Sequence, residues 1–195
     1  ARLWKYDSGE ILIGNLSYNK LDEEQIRNLI SVVPQKVHLF TGTVKDNLVI
    51  AKQDATDEEL YNALEQVDMK KVIENLPERL NTNIGEYGKK LSGGEAKRLS
   101  IARALLRNTP ILVFDEINSH VDSITERKIL AAIKNISPDK GILFITHRII
   151  NMEMFDEILV LSDGKITERG THPELLANGK IYNSLIRSQN QSLNF

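Results

Sequence analysis

Two apolar runs, each ending in titratable side chains, restrict what this chain can fold into more than any other feature. Ile111-Leu112-Val113-Phe114 stops abruptly at Asp115-Glu116, and Ile142-Leu143-Phe144-Ile145 stops at Thr146-His147. Runs that are apolar without alternation have the pattern of strands buried on both faces of a parallel sheet. Between them Ile129, Ile133 and Ile136 fall on one helical stripe, which closes at Ser137-Pro138-Asp139-Lys140-Gly141. In open α/β sheets ligands bind just beyond the carboxyl ends of the strands. The expected fold class is therefore α/β, a mostly parallel sheet flanked by helices, with Asp115, Glu116 and His147 converging on one crevice.

Upstream, Leu91-Ser92-Gly93-Gly94-Glu95 introduces a helix-like run through Ile101, Ala102 and Leu105. Ser92 and Glu95 form S-x-x-E, the signature of a capping box. Gly93 and Gly94 lack side chains, so backbone N–H groups at the positive end of the helix dipole can approach an anion. Thr56-Asp57-Glu58-Glu59 is another such box, followed by Leu60, Ala63, Leu64 and Val67 at helical spacing. That stripe reads as core packing, and a second short helix is expected from Asp68 to Asn75. Nearer the amino end, Glu10-Ile11-Leu12-Ile13 with Gly14-Asn15 reads as strand and turn. Asp22 with Gln25 predicts a helix start, and Ser31-Val32-Val33 a strand that stops at Pro34. At the other end, residues 157–168 read as a hairpin turning at Ser162-Asp163-Gly164-Lys165. Thr171 starts a capped helix with Pro173 at its first position, and the tail after Ser188 is polar and expected to fray.

Bulk properties mainly exclude. The chain has 195 residues, 41% apolar and 27% charged, with a formal net charge of -2. That suffices for an α/β domain with a real core, and gives no electrostatic case for nucleic acid as a partner. Cysteine is absent, so disulfides and thiolate metal sites are excluded. No apolar run approaches the ~20 residues that span a bilayer, and the amino end does not read as a signal peptide.

The order of these segments resembles the nucleotide-binding domain of ABC transporters, over nearly the whole chain. LSGGE at 91–95 matches the signature, ILVFDE at 111–116 the Walker B strand, and Thr146-His147 the switch histidine. Leu39-Phe40-Thr41-Gly42-Thr43-Val44-Lys45-Asp46-Asn47-Leu48 resembles the segment after the Q-loop of exporters, which makes Gln35 the Q-loop glutamine. Thr82-Asn83-Ile84-Gly85-Glu86-Tyr87-Gly88 resembles the exporter x-loop, which lies near the transmembrane partner. The resemblance implies a P-loop NTPase-like sheet with an inserted helical subdomain, ATP and Mg²⁺ as cofactors, and ATP hydrolysis. Three parts are expected: residues 1–43 as a partial RecA-like core up to the Q-loop, 44–108 as the helical subdomain, and 109–195 as the remainder.

The resemblance assigns roles residue by residue. Asp115 at the strand end would hold Mg²⁺ directly or through water. Glu116, facing the other side of the extended chain, would orient or deprotonate the attacking water. Gln35 would reach metal and water, and His147 the γ-phosphate. Ser92, Gly93, Gly94 and Glu95 would close over ATP held by a second nucleotide-binding domain, in a homodimer or a heterodimer. Relatives commonly show an S-A-L-D-like D-loop; here Ser119-His120-Val121-Asp122 keeps Ser119 and Asp122, and His120 is expected at an interface or surface. Asp122 is counted with the nucleotide-contacting set.

One motif of the family is missing. G-x-x-x-x-G-K-[ST], whose backbone N–H groups and lysine hold phosphates, does not occur; Gly85-Glu86-Tyr87-Gly88-Lys89-Lys90 has the wrong spacing and no strand before it. Ala1-Arg2-Leu3-Trp4 looks like the tail of the P-loop helix, so the sequence is expected to begin just after the phosphate cradle. The leading expectation is an exporter's ATP-hydrolysing domain on the cytoplasmic side of the membrane, driving transmembrane domains and inactive as these residues alone. The rivals are a P-loop-less interaction module donating its signature to a partner's ATP, and a soluble ABC ATPase of translation or DNA repair.

Overall fold

Strand β4 (Ile111–Asp115) is the middle of a three-stranded parallel sheet, between β3 (Ile30–Val33) and β5 (Gly141–Ile145). The computed structural model describes residues 6–119, 121–136 and 138–192. The expected helix tail at Ala1–Trp4, the placement of His120 and the closing residue Ser137 lie outside them. Val33, Phe114 and Phe144 share one register position, as do Val32, Val113 and Leu143. The first row lies on the face that carries the buried Val33, Leu112 and Phe114. The second row lies on the opposite face, where Val32, Leu143 and Ile145 remain 53%, 52% and 46% exposed. Asp115 pairs with Ile145, so it stands on this open face.

The chain divides into two compact units, the first ending at Ile145 and the second beginning at Thr146. In the first, a short hairpin of β1 (Leu12–Ile13) and β2 (Leu16–Ser17) turns at Gly14-Asn15. Helix α1 (Glu23–Leu29) then begins on Asp22, whose carboxylate accepts from the Gln25 N–H while the Gln25 side chain accepts from the Asp22 N–H. Between β3 and β4 come four α-helices, α2 (Val44–Val49), α3 (Asp57–Gln66), α4 (Lys70–Glu74) and α5 (Gly93–Leu106), with two short 3-10 turns before the last. The expected box at Thr56 forms, and Leu60, Ala63, Leu64 and Val67 are buried. Asp68 does not begin the second helix; it turns the chain at φ 53° before α4 starts at Lys70. Helix α5 packs against α2, α3 and β3. Helix α6 (Ser123–Lys134) buries Ile129 and Ile133, and Ile136 just beyond it is buried too.

The second unit is a hairpin of β6 (Ile158–Ser162) and β7 (Lys165–Gly170) with helices α7 (His172–Asn178) and α8 (Ile181–Ser192). Its turn places Asp163 and Gly164 at φ 50° and 73°, the left-handed pair that a two-residue hairpin needs. Met152, Val160, Leu175 and Tyr182 form its core. Two expectations are corrected here. Pro173 is the second residue of α7, because His172 already follows the Thr171 cap. The tail does not fray at Ser188: α8 continues to Ser192, and the Gln189 side chain accepts from Ile149 N–H at 2.8 Å and donates to the His147 carbonyl at 2.6 Å.

Candidate functional site

The site is built where β3 and β4 end. Their parallel register brings Val33 beside Phe114, so the residues just past each strand meet although they are far apart in sequence. Gln35 Nε2 donates to Glu116 Oε2 at 2.5 Å. The bond lies in an exposed position. Asp115 is the last residue of β4, and its neighbour departs from the sequence-based expectation. Glu116 is not the next residue of an extended chain with its side chain alternating to the other face. It has φ 46°, in the left-handed region. The turn is pinned twice: Glu116 N–H donates to the Ile145 carbonyl at 2.9 Å, and Ser119 N–H donates to the Glu116 carbonyl at 3.0 Å. What separates the two acids is therefore a change of backbone conformation, a strain that functional sites often hold.

The second cluster is the start of α5. Ser92 caps it, accepting from the Glu95 N–H, while Glu95 Oε2 accepts from the Ser92 N–H at 2.8 Å. The two glycines differ. A Cβ built on Gly93 would meet nothing within 4 Å, so its backbone is open to close approach. A Cβ on Gly94 would stand 2.4 Å from Thr125 Cγ2, so that glycine lets α5 pack against the first turn of α6. Anion approach, expected for both, is physically available at Gly93; Gly94 has an internal packing reason as well.

Asp122 is the cap of α6. Its carboxylate accepts from Ile124 N–H at 3.0 Å, Thr125 N–H at 2.9 Å and the Thr125 hydroxyl at 2.7 Å. The Thr125 hydroxyl first, then the N–H groups, hold it below the ordinary carboxylate range. Asn118 and Glu126 make a buried pair at 2.8 Å under the same loop. His147 belongs to the second unit, two residues past β5, where its carbonyl is held by Gln189. The structure thus joins Gln35 to Glu116 beside Asp115, and separately joins the Ser92–Glu95 segment to Asp122 through Gly94 and Thr125. Thr125, the Ile145 carbonyl and Lys97, whose ammonium donates to the Ser119 carbonyl, were missed from sequence; only the tertiary fold reveals them.

The donors suit Mg²⁺ bound with a nucleotide. Among the described residues no three His, Cys, Asp or Glu side chains could form a metal cage. Mg²⁺ in phosphate-transfer sites uses one or two carboxylates and takes its other ligands from water and phosphate, which Asp115 and its neighbourhood can match. No described helix is long and apolar enough to cross a membrane.

Comparison with known proteins bears on the family and the fold. The sequence profile of the ABC transporter family matches residues 1–119. The chain is 42% identical over 183 residues to the glutathione/L-cysteine transport system ATP-binding/permease protein CydC of Escherichia coli, covering 93% of this chain and 32% of that protein. It is 38% identical over 189 residues to the ATP-dependent lipid A-core flippase of Francisella tularensis, covering 96% and 31%. A bacterial Atm1-family ABC exporter solved with ATP bound superposes with a TM-score of 0.89 at 33% identity, over 96% of this chain and 33% of that one. The chain therefore spans about a third of the relatives it matches. The profile match over more than half of the residues, with relatives and a shared fold that agree with it, establishes that this chain belongs to the ABC transporter family.

Proposed function

We propose that the chain works as the ATP-binding and ATP-hydrolysing domain of an ABC exporter, completed by a phosphate-binding loop from outside its 195 residues. The observation that carries this reading is the Gln35–Glu116 hydrogen bond at the ends of β3 and β4. It aims an acid, fixed in a twice-pinned turn, at the place where α/β sheets bind ligands. The half-exposed apolar side chains of Val32, Leu143 and Ile145 on the open face of the sheet support it as well. Parallel sheets are normally covered on both faces, and the helix following a P-loop would cover this one, beside Asp115.

In this mechanism Asp115 would hold Mg²⁺ from the strand end. Once bound, Mg²⁺ supplies charge neutralisation on the phosphates. Glu116 accepts the proton of the attacking water or orients it. Gln35 keeps the carboxylate in place and has an amide oxygen to offer metal or water. His147 supplies a contact to the γ-phosphate. Ser92 and the open backbone of Gly93 close over ATP held by a second such domain, and Glu95 keeps the helix start rigid. Asp122 shapes the loop that faces the pair. Pairing and release of the two domains would move transmembrane partners from the cytoplasmic side of the membrane.

The test compares the 195-residue chain with the same chain joined to a phosphate-binding segment. The longer protein is expected to bind ATP and hydrolyse it; the 195 residues are expected not to bind ATP at micromolar concentration. Micromolar binding by the shorter chain contradicts the assignment of the phosphate cradle. Binding without hydrolysis by the longer one favours an interaction module that lends Ser92-Gly93-Gly94 to a partner's nucleotide.

A further inference from the structure

Lys97 lies just past the first turn of α5, and its ammonium donates to the backbone carbonyl of Ser119. That carbonyl belongs to the turn that carries Glu116. The Ser119 N–H closes the turn on the Glu116 carbonyl at 3.0 Å, and the Glu116 N–H is fixed to Ile145. Glu116 needs such support, because a left-handed φ of 46° is uncommon for a residue with a side chain. Ser119 is 3% exposed, so water is a poor substitute for the ammonium at this point. A hydrogen bond from a charged donor is stronger than a neutral one, and lysine supplies a compact point charge on a four-carbon stem. A second contact reinforces the first: Gly94 lies against Thr125, whose hydroxyl donates to Asp122 at the far end of the same loop.

We propose that Lys97 is a positioning residue for Glu116. It grips the Ser119 carbonyl so that the turn presents the Glu116 carboxylate to Gln35. It also makes the start of α5, with its open Gly93, and the Glu116 turn move as one body. Whatever docks on Gly93 then acts on this chain's own Glu116 through Lys97, with the Gly94–Thr125 contact beside it. The catalytic half of this inference rests on the proposed function of Glu116; the mechanical half does not.

The experiment uses the complete hydrolysing protein with Lys97→Met, which keeps the stem and removes the donor, and Lys97→Arg, which keeps a charged donor. Lys97→Met is expected to lower kcat by about tenfold, the scale of a small misplacement of a catalytic group, with KM for ATP changed by less than about twofold. Amide hydrogen exchange across residues 116–121 is expected to quicken. Lys97→Arg is expected to recover most of both losses. Unchanged kcat, unchanged exchange, or equal loss in the two variants overturns the proposal. Glu116→Gln is measured alongside. Normal turnover in that variant removes the catalytic role of Glu116, while exchange at 116–121 still decides whether Lys97 holds the turn.

Discussion

Gly93 and Gly94 occupy successive positions in the first turn of one helix, and the same substitution is predicted to act on them in opposite directions. An alanine at Gly94 would place its Cβ 2.4 Å from Thr125 Cγ2 and 3.0 Å from Thr125 Oγ1. Ordinary carbon contact begins near 3.4 Å, so α5 and α6 must part by about 1 Å or Thr125 must turn. Turning is hindered, because the Thr125 hydroxyl is bonded to Asp122 at 2.7 Å. Overpacking of this kind costs about 1–3 kcal/mol, and the helix propensity gained by alanine offsets at most about 1 kcal/mol. Gly94→Ala should therefore destabilise by about 1–2 kcal/mol. Gly93→Ala meets open space and should be neutral or stabilising by up to about 1 kcal/mol. For a chain of this length the two variants should melt about 4–8 °C apart. Thr125→Ser removes Cγ2 and keeps the hydroxyl for Asp122, so in the double variant with Gly94→Ala at least half the loss should return. Paired urea and thermal unfolding curves provide the assay. Equal stability of the two alanine variants, or no rescue by Thr125→Ser, would refute the packing argument.

Acid should unfold the protein through its caps. Backbone N–H groups hold Asp46, Glu168 and Glu174 below the ordinary carboxylate range, from Thr43, Ile181 and Thr171 respectively, and the Thr125 hydroxyl does the same for Asp122. A depressed folded pKa gives stability that is complete above the unfolded value, about 4, and is lost as pH falls through the folded value. Urea midpoints should be level from about pH 5 to 7 and fall below about pH 4; Asp122→Asn should flatten part of that fall, and an unchanged profile would count against the capping charge. The buried Arg98 donates to the Asp68 carbonyl at 2.6 Å and lies 3.6 Å from the Asp68 carboxylate. Arg98→Met should cost about 1–3 kcal/mol, since it leaves the carbonyl of a left-handed residue without that donor. A loss under about 0.5 kcal/mol by denaturant titration would mean that water or Lys128 replaces the guanidinium.

What the sequence revealed was mostly local. The boxes at Asp22, Thr56 and Ser92 each need only four residues, and all three form, as does the expected cap at Thr171. The box at Thr43 escaped notice because Asp46 stands where glutamate or glutamine usually does. The strand at 111–115 was legible because no polar residue interrupts it before Asp115. Family resemblance assigned Gln35 and Glu116 to the same attacking water, but their direct hydrogen bond was not foreseen, because it depends on parallel register between strands 81 positions apart. The left-handed turn at Glu116 had no signal at all: glutamate has no preference for that conformation, and the fold imposes it through Ile145 and Ser119. The Gly94–Thr125 and Lys97–Ser119 contacts are also tertiary. A glycine beside another glycine suggested ligand approach, and nothing in the sequence distinguished the open one from the packed one.

The central claim is that the Glu116 carboxylate, held by Gln35 where β3 and β4 end, activates the water that attacks ATP. Its most direct measurement is single-turnover hydrolysis by the complete protein carrying Glu116→Gln, alongside its ATP affinity. The account predicts a rate lowered by about 10²–10⁴-fold, with ATP still bound about as tightly as by the unaltered protein. Turnover within a few-fold of normal would contradict it.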